Sequence, residues 1–351
     1  MKDNTAIVLS NGMLENNHAK TAHGLIRGSD RYRITAVIDH KHAGSDAGEV
    51  LDGVHRDIPV FASVEEAVAK LPSKPAYCII GVATSGGVLP PAMLDSVESA
   101  IRAGIHIVNG LHEQLGGKPA LIKLAAENGV ELIDIRKPRT REELHFWTGA
   151  IYKVPSQIVA VLGMDCATGK RTTARILAQA CRAEGLKAEM IYTGQTGWMQ
   201  GSRYGFIFDS TLNDFISGEI EHAITTCYEE TGADFIFIEG QSSLRNPAGP
   251  CGSEFLISGN ARKTVLVVNP KQLYFDDDPA WGKLPTVASE IKLIEGYGST
   301  VMALSLNTHQ CTIEEARDFQ QQYQKEFNIP VLMPVLESVT PFISQLSEKT
   351  I

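Results

Sequence analysis

The chain has 351 residues and a formal net charge of −9, and 43% of its residues are hydrophobic. This length is typical of two domains, each large enough to bury a core. The acidic balance and the lack of any Lys/Arg block argue against a nucleic-acid-binding protein. No apolar run approaches the roughly 18 residues of a membrane span, and the N-terminal run is too short for a signal peptide.

Six cysteines are scattered along the chain without a C-x-x-C pair. This spacing predicts free thiols and therefore a cytoplasmic protein. No group of His, Cys, Asp and Glu has the spacing of metal ligands, so we predict no metal site. We expect a small-molecule partner rather than a nucleic acid or a membrane. Paired sheets of this size also favour a homo-oligomer.

The first 150 residues alternate apolar strand-like runs with helix-like segments. The predicted strands are Thr5–Leu9, Ile34–Ile38, Ala76–Val82, Ile105–Val108 and Glu131–Ile135, and the clearest helices are Val64–Lys70, Pro91–Ala103 and Pro119–Asn128. This rhythm predicts a parallel sheet with helices on both faces. Asp39 follows the second strand, where an acid can bind ribose hydroxyls, but the first turn, SNGMLEN, lacks the G-x-G-x-x-G pattern. A dinucleotide site is therefore not favoured.

Two polar loops, 83–90 and 109–117, directly follow predicted strands. They are expected at the carboxyl edge of the sheet, where such folds bind ligands. Arg136 and Lys137 end the last strand. Two interpretations are open: they bind a carboxylate or phosphate, or they form a solvated strand end. A short helix is predicted near Glu142–Thr148, and Pro155 marks the boundary between domains at 1–152 and 153–351.

The run from Val159 to Gly185 reads as a buried strand, a glycine-bounded turn and a helix that begins at Gly169 and Lys170. Such a turn cradles phosphate, because its N–H groups, the helix N-terminus and the lysine all attract anions. The usual P-loop glycine is displaced by one position to Gly163, and Arg171 stands where a hydroxyl normally holds Mg²⁺. The predicted phosphate-binding residues are Gly163, Asp165, Thr168, Gly169, Lys170, Arg171, Thr172 and Thr173.

The second half repeats the strand and helix alternation. Its predicted strands are Gln157–Leu162, Ala188–Thr193, Asp234–Ile238, Thr264–Val268 and Thr300–Ser305, which indicates a second doubly wound domain. Glu239 ends the third of them, where P-loop proteins place an acid that orients Mg²⁺ or the attacking group. It is our first candidate catalytic carboxylate, and the alternative is that it caps the following loop. Asp214, on a helix-like segment, is either an acid/base partner or part of a solvated face.

Eight segments together resemble one known family along nearly the whole chain. They are PVFASVEEA, VATSGGVLP, VNGLHEQL, IDIRKP, GMDCATGKRTT, YTGQTGW, DSTLNDFISGEIE and IEGQSSL. The family is a P-loop family catalogued as a domain of unknown function, and its members include bacterial D-glutamate N-acetyltransferases. The resemblance implies a Rossmann-like N-terminal domain and a P-loop NTPase-like domain similar to dethiobiotin synthetase.

The likeness to dethiobiotin synthetase rests on Gly163-Met164-Asp165, which matches its Gly-x-Asp loop start, and on Glu239-Gly240 after a strand. It accounts for the displaced glycine. The chain departs from the family at LRNP, where a histidine often precedes the proline. Arg245 there offers a bidentate partner for a substrate carboxylate.

Two enzymatic hypotheses follow. In an acetyl-CoA-dependent N-acetyltransferase, the loop would hold CoA phosphates, with Arg171 as a second cation beside Lys170, and the resemblance implies an acidic D-amino acid as acceptor. Glu239 or Asp214 would take the ammonium proton, while Gln195, Thr196 and Arg245 would contact the substrate and Thr196 or backbone donors the oxyanion. In an ATP-dependent carboxylate- or carbamate-activating ligase, Lys170 would hold the phosphates and Thr172, Asp209 or Glu239 the Mg²⁺. A non-catalytic nucleotide switch is the third possibility.

Overall fold

The computed structural model describes residues 3–348, and it divides into two compact α/β units. The first unit holds the residues up to Pro138 together with Gln195–Ser202. The second unit holds Arg139–Gly194 and the chain from Arg203 onward. The ends of the expected domain ranges, residues 1–2 and 349–351, lie outside the described part of the chain. Two parallel-sheet α/β units confirm the predicted fold class.

The first unit is built on a parallel sheet, whose described strands have the order β3-β2-β1-β4-β5-β6. The strands are β1 (Thr5–Leu9), β2 (Arg33–Ile38), β3 (Val60–Phe61), β4 (Tyr77–Ile80), β5 (His106–Asn109) and β6 (Leu132–Asp134). The helices are α1 (Lys20–Arg27), α2 (Ala47–Asp52), α3 (Val64–Lys70), α4 (Pro91–Arg102) and α5 (Pro119–Glu127). Two apolar clusters lie in this unit and take alternate residues of β1, so both faces of the sheet are covered.

The second unit carries a parallel sheet with the described order β13-β12-β11-β7-β10-β8-β9. Its strands are β7 (Gln157–Gly163), β8 (Ala188–Tyr192), β9 (Tyr204–Gly205), β10 (Phe235–Glu239), β11 (Lys263–Val268), β12 (Thr300–Leu306) and β13 (Val331–Leu332). Its helices are α6 (Lys170–Ala183), α8 (Asn213–Thr231), α9 (Ser253–Ile257), α10 (Val287–Gly296), α11 (Ile313–Phe327) and α12 (Thr340–Glu348). Helix α7 (Gln195–Met199) belongs to the first unit.

Strand β7 lies between β10 and β11, and its side chains alternate between two cores. Ala160 and Leu162 pack into the cluster that includes residues of α8, whereas Val159 and Val161 pack against α6. The strand is therefore buried on both faces, which explains its continuous apolar run. Its carboxyl end brings the glycine-bounded turn to the middle of the sheet edge, beside the end of β10.

The prediction of a helix near Glu142–Thr148 is wrong. A 3-10 turn covers only Arg141–Glu143, and the residues that follow are irregular. Carboxylates of α8 take the backbone donors that a helix would have used: Glu219 Oε1 accepts from His145 N at 2.8 Å, and Glu221 Oε2 accepts from Thr148 N at 2.7 Å. A Cβ atom at Gly218 would lie 2.0 Å from the His145 carbonyl oxygen. The ISGEIE segment therefore anchors the start of the second unit.

Candidate functional site

The turn after β7 ends in a helix N-terminus with a buried lysine. Helix α6 starts at Lys170, and its N-cap Gly169 has a left-handed φ of 101°, which glycine adopts without strain. Lys170 is only 6% exposed, and its Nζ donates to the Asp165 carbonyl and, at 3.5 Å, to Thr168 Oγ1. The lysine charge and the helix N-terminus thus lie together, as an anion-binding loop requires.

Asp165 holds this turn against two other loops. Its fully buried carboxylate accepts from Asn246 Nδ2 at 2.7 Å, from Gln272 Nε2 at 2.6 Å and from Asp276 N at 2.6 Å. These donors come from the segments after β10 and β11. Asp165 therefore shapes the loop, and its carboxylate oxygens already carry internal hydrogen bonds.

The three predicted threonines differ in their surroundings. Thr168 Oγ1 donates to the Asp165 carbonyl at 3.2 Å, inside the turn. Thr173 is buried, and its hydroxyl shares a 2.9 Å hydrogen bond with Ser305 of β12. Thr172 is partly exposed in the first turn of α6. The two buried hydroxyls therefore support the loop and its contact with β12.

Glu239 ends β10 and is 5% exposed. Thr193 makes two hydrogen bonds to this residue: its N donates to the carboxylate Oε2 at 3.2 Å, and its Oγ1 donates to the backbone carbonyl at 2.7 Å. Burial raises the pKa of the Glu239 carboxyl, while the charges of Arg171 and Lys170 and the N–H bonds from Thr193 and Gly194 oppose that rise. The structure thus brings Glu239, Lys170 and Arg171 into one electrostatic environment.

The remaining predicted site residues have the following surroundings. Arg245 pairs with Glu290 of α10, with Nε 2.7 Å from Oε2, and its Nη2 donates to Ser289 Oγ at 2.9 Å. Asp214 is exposed in the first turn of α8. Gln195 and Thr196 belong to the first unit, where Gln195 Oε1 accepts from Arg136 and Thr196 Oγ1 bonds Thr21 Oγ1 at 2.9 Å.

In the first unit, two carboxylates accept hydrogen bonds from the donors at the carboxyl edge of the sheet. Asp39 Oδ2 accepts from Ser10 Oγ at 2.8 Å, from Gly12 N at 2.8 Å and from Leu14 N at 3.1 Å. The turn after β1 thus surrounds an internal anion. Asp134 likewise accepts from Asn109 Nδ2 at 2.7 Å and from Leu115 N at 3.0 Å.

Within residues 3–348, no group of three or more His, Cys, Asp and Glu side chains is placed to hold a metal ion. The same part of the chain contains no helix long and apolar enough to cross a membrane.

Comparison with known families matches both units. Residues 145–343 match the P-loop domain of a family described as a domain of unknown function, DUF1611, and residues 40–138 match its Rossmann-like N-terminal domain. The chain belongs to the DUF1611 family. The match confirms the resemblance expected from the motifs.

Two curated relatives of this DUF1611 protein carry an enzyme name. The chain is 30% identical over 275 residues to a D-glutamate N-acetyltransferase of Pseudoalteromonas sp, covering 76% of this chain and 80% of that protein. It is 26% identical over 262 residues to a D-glutamate N-acetyltransferase of Tritonibacter scottomollicae, covering 73% and 76%. A crystal structure of a DUF1611 protein from Anabaena variabilis superposes with a TM-score of 0.88 at 28% identity, covering 98% of this chain and 99% of that one.

Several residues that shape the candidate site were not predicted. Thr193 and Gln241, whose Nε2 donates to Thr193 Oγ1 at 3.0 Å, fix the backbone and side chain of Glu239. Asn246 and Gln272 fix Asp165. The sequence did indicate Thr193 and Gln241, because they lie in the polar segments YTGQ and EGQSS at the ends of two predicted strands. Nothing local marked Gln272, which reaches Asp165 across 107 residues of chain.

Proposed function

We propose that this protein is an acetyl-CoA-dependent N-acetyltransferase whose acceptor is an acidic D-amino acid such as D-glutamate. The observation that carries the proposal is the buried Glu239 beside a phosphate loop that has two consecutive cations, Lys170 and Arg171. The names of the curated relatives support the reaction and the acceptor.

The loop residues fit the diphosphate of CoA. The α6 N-terminus and the charges of Lys170 and Arg171 attract an anion without a bridging metal. Arg171 occupies the position of the usual Mg²⁺-binding hydroxyl. A second cation at this position favours acetyl-CoA over ATP with Mg²⁺, for which Thr172 would have to hold the metal. When bound, acetyl-CoA supplies the acetyl thioester.

Glu239 is the favoured base. The acceptor amine attacks only after its ammonium group loses a proton, and a carboxylate whose pKa is raised by burial takes that proton more readily near neutral pH. The hydrogen bond from Thr193 N fixes one carboxylate oxygen at 3.2 Å, which limits the orientations of the other. Asp214 is exposed and lacks this support.

Arg245 is the proposed partner of an acceptor carboxylate. Its side chain is 35% exposed, and its Nε and Nη2 bond Glu290 and Ser289, so Nη1 is the atom proposed to bind a substrate carboxylate. Gln195 and Thr196 stay proposed substrate contacts. The six cysteines are free thiols, which supports a reducing compartment such as the cytoplasm.

The test follows thiol release from acetyl-CoA in the presence of D-glutamate, L-glutamate or no acceptor, with the acetylated amino acid identified by mass spectrometry. Wild type is expected to acetylate D-glutamate equally in Mg²⁺ and in EDTA. Glu239→Gln is expected to lower kcat about 100- to 10,000-fold with little change in CoA affinity. Glu189→Gln is the matched control, because Glu189 is a half-buried carboxyl on β8 whose pKa burial also raises.

Equal loss of kcat in both variants would remove the base role from Glu239. Product that appears only with ATP and Mg²⁺ would replace acetyl transfer by the ligase alternative.

A further inference from the structure

Ser243 has a buried hydroxyl without a partner. The residue follows β10 in the EGQSSL segment and is 3% exposed. Among the described residues, its Oγ makes no hydrogen bond. Buried hydroxyls are nearly always bonded, because the unfolded chain bonds water instead. An unbonded one therefore points to a ligand or a water that completes it.

Three other hydroxyls of the candidate site's segments have hydrogen-bond partners. Ser242 Oγ lies 3.6 Å from Cys166 Sγ, Thr193 Oγ1 donates to the Glu239 carbonyl, and Thr173 shares its hydrogen bond with Ser305. Ser243 thus differs from these three hydroxyls in having no hydrogen-bond partner within the described part of the chain.

The segment that carries Ser243 packs directly on the candidate site. A Cβ atom at Gly240 would lie 3.0 Å from Lys170 Cδ, so the backbone passes the lysine closely. Gln241 bonds Thr193, and Ser242 contacts Cys166 inside the phosphate loop. The Ser243 carbonyl accepts from Cys251 N at 2.9 Å, which fixes its backbone. Asn246, three residues further on, bonds Asp165 of the phosphate loop, so contacts with the candidate site flank Ser243 on both sides. A fixed backbone and an unused donor in such a segment are what oxyanion stabilisation requires.

We propose that the Ser243 hydroxyl donates a hydrogen bond to the acetyl carbonyl oxygen during transfer. This inference rests on the proposed acetyltransferase function. Glu239 takes one proton from the acceptor ammonium, and the amine nitrogen then bonds to the acetyl carbon. The carbon–sulfur bond breaks, its electron pair leaves with sulfur, and the second amine proton ends on the CoA thiol. Negative charge develops on the carbonyl oxygen after the nitrogen attacks and before the carbon–sulfur bond breaks. The Ser243 hydroxyl donates its hydrogen bond to this oxygen.

The test compares Ser243→Ala with Ser299→Ala. Ser299 is a matched serine, 2% exposed, whose hydroxyl bonds Thr264 at 2.9 Å in the same unit. Ser243→Ala is expected to lower kcat about 100- to 1000-fold. Its CoA affinity should stay within about twofold, and its unfolding temperature should not fall, because no protein hydrogen bond is lost. Ser299→Ala should show the reverse, with a lower unfolding temperature and normal kcat.

Ser243→Cys is measured in parallel, because it keeps the shape and supplies only a weak donor, and it should lose kcat as well. If both Ser243 variants keep kcat within threefold of wild type, the hydroxyl serves a bound water only and the inference is overturned. If wild type itself forms no acetylated product, the proposed function fails and this role fails with it. The two failures are separated by wild-type activity alone.

Discussion

The two units use the carboxyl edges of their parallel sheets differently. In the first unit, Asp39 and Asp134 accept hydrogen bonds from loop N–H groups and side-chain donors at the strand ends, so these donors are satisfied within the unit. In the second unit, the corresponding edge gathers Lys170, Arg171, a buried Glu239 and the unbonded Ser243. Polar segments at strand ends thus stabilise the fold in the first unit and form a candidate site in the second.

The largest expected effect is a loss of stability when the hydrogen bonds at the carboxyl edge of the first unit's sheet are removed. Asp39→Ala should lower the free energy of unfolding by about 3 kcal/mol, because it strands several buried donors that now bond one carboxylate. Turnover per folded molecule should be unchanged well below the unfolding temperature. Calorimetric unfolding and the acetyl-transfer assay measure both.

Asp95→Ala is the control for this variant, since Asp95 is an exposed aspartate of the same unit. An Asp39→Ala protein that is as stable as wild type but has lost turnover would contradict this difference between the units, because Asp39 would then act in function and not in stability.

A smaller, pH-dependent effect is expected at the α8 anchor. Burial alone would raise the pKa of Glu219, but hydrogen bonds from Arg139 and His145 outweigh it and hold the pKa below its usual range. A lowered folded-state pKa stabilises the fold above the ordinary glutamate pKa, and this stabilisation is lost as pH falls through the folded-state value. Glu219→Gln should therefore cost about 2 kcal/mol at pH 7 and progressively less below about pH 4.5.

The measurement is the unfolding temperature of both proteins from pH 7 down to pH 3, with the exposed Glu127→Gln as control. A difference that stays constant across this range would show that the Glu219 charge does not stabilise the anchor.

Long buried strands were predictable from sequence, and contacts between distant segments were not. Strands such as β7 and β10 are continuous apolar runs, whereas β3, β9 and β13 have two residues each and therefore no periodic pattern. Helices α1 and α2 each contain a glycine and were not predicted. The helix expected near Glu142–Thr148 failed because its donors bond Glu219 and Glu221, more than 70 residues away.

For the site, the turn around Lys170 was predictable because strand, glycine and helix signals coincide within one short segment. The partners of Asp165 were not, since Asn246 and Gln272 lie 81 and 107 residues further along the chain. The unbonded state of Ser243 was equally hidden, because its sequence context differs little from that of Ser242.

The proposed binding of CoA phosphates by the loop around Lys170 is tested by calorimetric titration with acetyl-CoA, and separately with ATP, each in Mg²⁺ and in EDTA. Wild type should bind acetyl-CoA with one Kd in both conditions. Lys170→Ala should bind it about 10- to 100-fold more weakly, while Lys187→Ala, an exposed lysine of the same unit, should match wild type. Unchanged acetyl-CoA affinity in Lys170→Ala, or binding of ATP alone and only with Mg²⁺, would show that this loop is not a CoA-binding site.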